Sequence, residues 1–230
     1  MKSTMKSTSK KNAEQQIDLV KEAIVRYCNL LHKKNMLAAA DGNVSYRISD
    51  GEILITPSGV PKAFIEADDI AVIDLANNVI KGRPSGERQM HLEVYRKCPQ
   101  ARAVVHAHPP SAIAWSVAYP AMEELPSECL SEVILAAGRI PIVPYARPGG
   151  MEMGTNLHAY LPDCRAMILS RHGAICWGES LREAYCGMER IEHSADILLR
   201  AKSLGQLTSL PEEEVAALRE MRKKMGDRLL

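Results

Sequence analysis

His106 and His108, separated by one alanine, stand at the end of the apolar run 101–105. Alternate residues of an extended strand point to the same face, so both imidazoles lean one way. Their Cα atoms lie about 6.7 Å apart along such a strand, close enough for two ring nitrogens to meet on one divalent ion at about 2.0–2.1 Å. Pro109 and Pro110 follow. Proline has no N–H to give to a ladder, so the strand stops there and leaves the histidines at its mouth. A second apolar run, 166–170, ends in the same manner in Arg171-His172-Gly173. Two strand ends delivering three imidazoles are the pattern of a catalytic metal site, in which three protein ligands leave one position open. His32, His91, His158 and His193 have no comparable company in the sequence, and packed or surface roles are expected for them.

Several elements must position these side chains. Residues 14–34 carry Ile17, Val20, Ile24, Cys28 and Leu31 at close to helical spacing. Ala40-Asp41-Gly42-Asn43 reads as a turn, and strands at 44–48 and 52–56 flank Ser49-Asp50-Gly51, a hairpin signal. A short helix or turn is expected at 61–66 and strands at 70–74 and 79–80. The apolar stripe Met90, Val94 and Cys98 predicts a helix over 85–98. A strand at 101–106 follows, then a helix over 111–118 led by Ser111 as its cap. A helix at 132–137 stops at Gly138, a strand covers 140–143, a short helix covers 155–161, and strands occupy 166–170 and 174–177. Ser180-Leu181-Arg182-Glu183 has the spacing of a capping box opening a long helix that ends near Gly205. Residues 211–225 form a charged amphipathic terminal helix. Strands in hairpin-like clusters between helices, with no regular strand–helix alternation, predict a largely antiparallel or mixed sheet with helices on both faces.

At 230 residues, 46% of them hydrophobic, the chain can bury one core. A single domain is expected over 13–230, behind a disordered polar leader at 1–12 in which Met-Lys-Ser-Thr occurs twice. That leader lacks the apolar centre of a secretory signal. Lys and Arg number 29 against 28 Asp and Glu, interleaved, which gives no reason to expect nucleic acid or an anionic membrane as partner. No apolar stretch reaches the ~20 residues a bilayer requires. The six cysteines are scattered without a Cys-x-x-Cys pair and read as reduced thiols, so a cytoplasmic protein is expected.

Gly42-Asn43-Val44-Ser45, Ile55-Thr56-Pro57-Ser58-Gly59, Pro84-Ser85-Gly86-Glu87, His106-Ala107-His108 and Arg171-His172-Gly173 occur in this order. Together they resemble the class II aldolase/adducin family, specifically its sugar-phosphate aldolases of the fuculose-1-phosphate type, from about residue 30 to 201. Each motif alone is weak; five in order with compatible spacing are specific. The resemblance implies an α/β fold of α+β character, a three-layer α/β/α sandwich about that mixed sheet. It also implies a homo-oligomer, usually a tetramer, with active sites between neighbouring subunits. By the same resemblance His106, His108 and His172 are zinc ligands, with manganese or cobalt as alternatives. Glu87 is the catalytic carboxylate and an additional ligand when substrate is absent. Asn43, Ser58, Gly59, Ser85 and Gly86 form a phosphate pocket.

The implied reaction cleaves a ketose 1-phosphate, a small sugar phosphate, to dihydroxyacetone phosphate and an aldehyde through a metal-stabilised enediolate. A cation held by three neutral imidazoles keeps its full charge and takes up the negative charge that develops, while Glu87 moves the proton. Turn amides at Gly42-Asn43 and Ser58-Gly59, and a helix start at Ser85, suit an anion. His91 and Tyr95 lie four and eight residues beyond Glu87 on one helix face, where packing or support is expected of them.

The chain departs from the aldolase pattern in places. Gly86 stands where a second serine is usual. The stretch 127–132 lacks the tyrosine that serves a neighbouring subunit, and 212–230 lacks a C-terminal tyrosine. Glu132 and Tyr145 are the candidates for proton exchange at the aldehyde oxygen. A decarboxylase or dehydratase of the same family therefore stays open. A pentulose-phosphate 4-epimerase is disfavoured by glutamate at position 87, where those enzymes carry aspartate. An adducin-like scaffold is disfavoured by the intact histidine trio.

Overall fold

The structure, a computed structural model, describes residues 14–226 and 228 in full; the leader expected at 1–12 lies outside them. Among the described residues the strands are β1 (Asn43–Ser49), β2 (Glu52–Ile55), β3 (Ala71–Ile73), β4 (Val79–Lys81), β5 (Ala103–Ala107), β6 (Ile142–Val143), β7 (Ala166–Leu169) and β8 (Gly173–Gly178). They form one sheet in the order β4-β3-β2-β1-β5-β8-β7-β6. Every neighbouring pair is antiparallel except β6 with β7. The sheet is thus mixed and mostly antiparallel, as the hairpin-like clusters predict.

The helices are α1 (Lys2–Lys33), α2 (Arg88–Lys97), α3 (Pro110–Ala118), α4 (Ser131–Ala136), α5 (Glu152–Thr155), α6 (Leu181–Leu204) and α7 (Glu212–Lys224). Side chains of α1, α3, α4 and α6 bury one face of the sheet, and those of α2 and α5 bury the other. This is the expected three-layer sandwich, with α7 packed outside α4 through Val215, Leu218 and Ile134.

The pleat decides what faces α2. In β5, Ala103, Val105 and Ala107 join the α6 side, so Val104 and His106 point to the α2 side. In β1, Val44 belongs to the α6 side, which turns Asn43 and Ser45 toward α2. Asn43 lies directly across from His106, and Ser45 across from Val104, so these side chains are close neighbours on one surface. A polar stripe therefore runs up the middle of an otherwise apolar layer.

Some expected boundaries move, each for a local reason. Helix α2 begins at Arg88 rather than 85. Residues 83–85 are held extended against the loop after β2 by Ser58 N–H donating to Arg83 O (2.9 Å), Ser85 N–H donating to Thr56 O (3.1 Å) and a bridge between Pro57 and Pro84. The stretch 61–66 takes the turn form, with the Phe64 N–H donating to Pro61 O at 3.0 Å, and a 3-10 turn follows at Ala67–Asp69. The segment 155–161 is divided between α5 and a 3-10 turn, Asn156–Ala159, and β6 shortens to two residues. Ser111 does not cap α3, because Pro110 already lies inside the helix. Instead the N–H groups of Ser111 and Ala112 donate to the Glu192 carboxylate on α6, at 2.9–3.2 Å. The start of α6 is as predicted: Ser180 Oγ accepts from Glu183 N–H at 3.1 Å. The glutamate also reaches back, accepting from the Glu179 N–H at 2.8 Å. The cysteines are free, and Cys28, Cys98, Cys164 and Cys176 are buried. No helix among the described residues is long and apolar enough to cross a membrane.

Because α3 starts two residues after His108, its remote cap also steadies the end of β5. Glu192→Ala should lower the free energy of unfolding in urea by about 1.5–3 kcal/mol, the range for a hydrogen bond to a charged group. Glu192→Gln should cost less than the alanine, since one amide oxygen still accepts.

Candidate metal centre

His106 ends the central strand β5, His108 follows it, and His172 sits in the tight turn between β7 and β8, where Leu169 and Gly173 pair. Arg171 makes that turn possible by adopting a left-handed φ of 59°, and the His172 N–H closes it onto Leu169 O at 3.0 Å. The three Nε2 atoms converge. Those of His108 and His172 each lie 3.2 Å from that of His106, and the ligand atoms of the trio are all within 4.8 Å of one another.

Glycine is required beneath this cluster. A Cβ on Gly173 would sit 2.5 Å from Ala107 O, 2.9 Å from His108 Cδ2 and 3.0 Å from His106 Cε1. Gly42 is constrained as tightly: at φ 68° it turns the chain into β1, and a Cβ there would meet His106 O at 2.8 Å.

The donor set fits a metal ion. His106 Nδ1–H donates to Ala174 O at 2.9 Å, which leaves Nε2 with a free lone pair aimed at the centre. His108 Nδ1 faces Asp41 Oδ2 at 3.4 Å, a carboxylate behind an imidazole that orients it in the same sense. Burial, then the neighbouring imidazoles, push the His108 pKa down to about 4, so its ring is neutral and able to ligate at neutral pH.

Glu87 caps the start of α2 and closes the fourth side. Its Oε2 lies 3.3 Å from His106 Nε2 and its Oε1 3.3 Å from His172 Nε2. Burial would raise its carboxyl, but the His106 and His172 imidazoles beside it hold it well below the usual carboxylate range. Asn43 Nδ2–H donates to Glu87 Oε2 at 2.9 Å.

Beside Glu87 and His108 opens a cleft of about 250 Å³ whose walls include Asn43, Ser58, Gly59, Ser85 and Gly86. The structure thus brings all the sequence-derived pocket residues together. The anion-binding argument needs two corrections. The Ser58 N–H is spent on Arg83 O, and Ser85 precedes the helix start rather than forming it, its Oγ accepting from the Glu87 N–H at 3.3 Å. The cleft holds something the sequence reading missed, Lys62. This residue is only 2% exposed. Its ammonium donates to Ala40 O (2.8 Å) and Val60 O (2.9 Å), which leaves one of its three N–H bonds. No described carboxylate pairs with it at ion-pair distance. A lysine three residues past a Ser-Gly turn carries no pattern that would have marked it.

Neither candidate for the second proton-transfer group borders this cleft. Tyr145 is 58% exposed and lines a separate cleft of about 700 Å³ near β6. Glu132 bonds its neighbour Ser131 at 2.9 Å on the surface. His158 pairs with Glu93 at 2.7 Å and His32 Nδ1 with Leu37 O at 3.2 Å, structural contacts as expected. His91 is wholly buried behind Asn43.

The sequence matches the family described as Class II Aldolase and Adducin N-terminal domain over residues 22–199. It is 35% identical over 173 residues to an L-fuculose phosphate aldolase of Methanococcus vannielii, covering 75% of this chain and 92% of that one. It is 30% identical over 185 residues to a 3-oxo-tetronate 4-phosphate decarboxylase of Escherichia coli strain K12, covering 78% and 85%. Among solved structures, an L-fuculose 1-phosphate aldolase superposes with a TM-score of 0.79 at 29% identity, covering 89% of this chain and 96% of that one. The chain belongs to the class II aldolase and adducin family. Within it the chain sides with the enzymes, aldolase or decarboxylase, and carries a histidine trio able to bind a metal.

Two expectations follow. Gly173→Ala should weaken zinc binding at least about 10-fold in calorimetric titration, with the far-ultraviolet circular dichroism retained. Burial lowers the His91 pKa to about 3, against about 6.5 in an unfolded chain. Between those values the unfolded chain binds the extra proton, so stability falls as pH drops through this window. The slope from His91 should approach about 1.4 kcal/mol per pH unit. Urea unfolding between pH 7 and pH 4.5 should show a shallower loss in His91→Gln than in the parent chain.

Proposed function

We propose that this protein is a metal-dependent aldolase that cleaves a ketose 1-phosphate, of the fuculose-1-phosphate type, to dihydroxyacetone phosphate and an aldehyde. The observation that carries the reading is Glu87, whose two carboxylate oxygens each approach a different imidazole of the trio at 3.3 Å. His106, His108 and His172 would hold the ion, which we take to be zinc. When bound, it supplies Lewis-acid withdrawal of charge from the carbonyl and hydroxyl oxygens of the substrate.

The protein's own residues then have distinct tasks. The bond that breaks joins the carbon next to the ketone to the carbinol carbon beyond it. The carbinol hydroxyl must lose its proton, and the carbon left with the electron pair must gain one. Glu87, beside the trio and open to the cleft, exchanges the proton at that carbon. Asn43 and the hydroxyls of Ser58 and Ser85 donate to the phosphate, with Gly59 and Gly86 letting it approach the backbone. Lys62, a buried cation without a carboxylate partner, adds positive charge beneath it; burying such a charge is costly unless an anion offsets it. No tyrosine borders the cleft, so the group that exchanges a proton with the aldehyde oxygen would come from a neighbouring subunit. That requirement supports a homotetramer with sites between subunits, and we place the enzyme in the cytoplasm.

Decarboxylation of a phosphorylated 3-oxo acid is the second reading. It is favoured by Gly86 in place of a serine and by the absence of a second proton-transfer side chain beside Glu87.

A panel of ketose 1-phosphates and phosphorylated 3-oxo acids, assayed with added zinc or manganese, separates these readings. Dihydroxyacetone phosphate with an aldehyde is the expected product pair; carbon dioxide without an aldehyde would replace the first reading by the second. Glu87→Gln should keep stoichiometric metal and lose activity about 100-fold or more, the usual scale for an acid–base group. His108→Ala should lose metal and activity together. Near-normal turnover by Glu87→Gln would remove that residue from its role.

A further inference from the structure

From Asn43, at the cleft wall beside Glu87, four buried polar side chains lead inward between β1 and α2. Asn43 Nδ2 lies 2.9 Å from Glu87 Oε2. Asn43 Oδ1 lies 2.5 Å from His91 Nε2, His91 Nδ1 lies 2.6 Å from Ser45 Oγ, and Ser45 Oγ lies 2.7 Å from Tyr95 Oη. Asn43, Ser45, His91 and Tyr95 are each at most 2% exposed.

The direction of every bond is fixed by its last acceptor. An ionised carboxylate only accepts, so the asparagine must present its amide N–H to Glu87 and its carbonyl to His91. That carbonyl requires a donor, so Nε2 carries the imidazole proton. His91 is neutral because full burial disfavours its charged form; Nδ1 is then a bare acceptor, which the Ser45 hydroxyl must satisfy. The Ser45 oxygen in turn accepts from the Tyr95 hydroxyl.

We propose that Tyr95, Ser45, His91 and Asn43 form a one-way chain of donors that positions Glu87 for proton transfer, with His91 locked as its Nε2–H tautomer. The inference rests on the reading of Glu87 given above and deepens it. Oε2 is pinned by Asn43, so Oε1 is the oxygen left to exchange a proton with substrate. Each bond in an aligned chain polarises the next, so removing the distant hydroxyl of Tyr95 weakens the hold on Glu87 without touching it. His91 and Tyr95 are positioning residues: neither borders the cleft.

Simple core filling would not call for this arrangement. Apolar side chains of similar volume would fill the layer without the risk of leaving a polar atom unpaired. Instead the chain of bonds is complete and ends at Glu87, whose two oxygens approach two imidazoles of the trio and which borders the cleft.

Long-range proton–nitrogen correlation on protein with nitrogen-15 histidine tests this directly, metal-free and zinc-loaded. The expected spectrum shows His91 as the Nε2–H tautomer. Its ring nitrogens should shift in Glu87→Gln, although the two side chains do not touch, and again in Tyr95→Phe. In steady-state assays His91→Leu should lower kcat about 10–100-fold, the scale seen for groups that orient an active residue, with KM and bound zinc unchanged. His91→Gln, which can accept from Ser45 and donate to Asn43, should recover most of that loss. If His91→Leu does not fold, Tyr95→Phe carries the kinetic test, with kcat reduced at least about threefold. An Nδ1–H tautomer, ring nitrogens unmoved by Glu87→Gln, or full kcat in whichever of His91→Leu and Tyr95→Phe carries the kinetic test would overturn the proposal. The spectra need no substrate, so they decide the chain of donors even where the aldolase reading fails.

Discussion

Two imidazole nitrogens facing each other at 3.2 Å repel unless a proton or a cation lies between them. The fold makes that approach unavoidable. His106 is wholly buried at the end of a strand paired on both sides, by β1 and by β8, so its backbone has nowhere to go. His172 is delivered by a turn too tight to swing, and Gly173 has no Cβ to hold the two strand ends apart. The chain thus holds the three imidazoles in an arrangement that a shared proton or a bound cation satisfies. Little reorganisation would be left for a metal to cause, which is the sense in which such a site is preorganised.

The position of His106 in the pleat sets most of what surrounds it. Because Asn43 is its cross-strand partner, a polar amide lies beside the imidazole and within reach of Glu87 at the head of α2. The next residue on that face of β1 is Ser45, and the two residues one and two turns beyond Glu87 on α2 are His91 and Tyr95. A two-residue period on the strand and a near four-residue period on the helix place these groups opposite one another. Burying so many polar atoms is tolerable only when each finds a partner, and none of the described buried side-chain polar atoms lacks one. Around this stripe Ile53, Ile55, Val104 and Trp177 keep the layer apolar, which lowers the local dielectric and strengthens each contact in the stripe.

The pairing of His106 with His108 was legible in the sequence because its geometry is local. Alternation within one strand and the prolines that stop it put His106 and His108 side by side without knowledge of the rest of the chain. The sheet's mixed character was legible for a similar reason, in the short turns between successive strands. What lay beyond reach were contacts whose partners are distant. The cap of α3 comes from Glu192, some eighty residues on, so the nearby Ser111 drew the wrong assignment. Residues 83–85 have the composition of a helix start, yet pairing with 56–58 holds them extended. Lys62 is a surface residue by composition and is buried only because Ala40 and Val60 offer their carbonyls to it. His91 gave a partial signal: its spacing from Glu87 marked it for packing or support, but the hydrogen bonds through Asn43 and Ser45 depend on strand register, which no window of sequence contains.

The chemistry that separates aldol cleavage from decarboxylation turns on how many protons must be handled. In both, a carbon next to a ketone is left holding the electron pair of a broken carbon–carbon bond, and that carbon then needs a proton. An aldol cleavage must also remove the proton from the departing carbinol, whereas departing carbon dioxide carries no such proton. One carboxylate therefore suffices for the second reaction, and two groups are wanted for the first. In this cleft Glu87 is the group free for the task. Asp41 is turned toward His108, and Lys62 is tied to two carbonyls beneath the surface. Whether the protein breaks a bond to an aldehyde or to carbon dioxide thus depends less on the trio, which suits either reaction, than on whether a second proton-transfer group reaches the open side of the cleft.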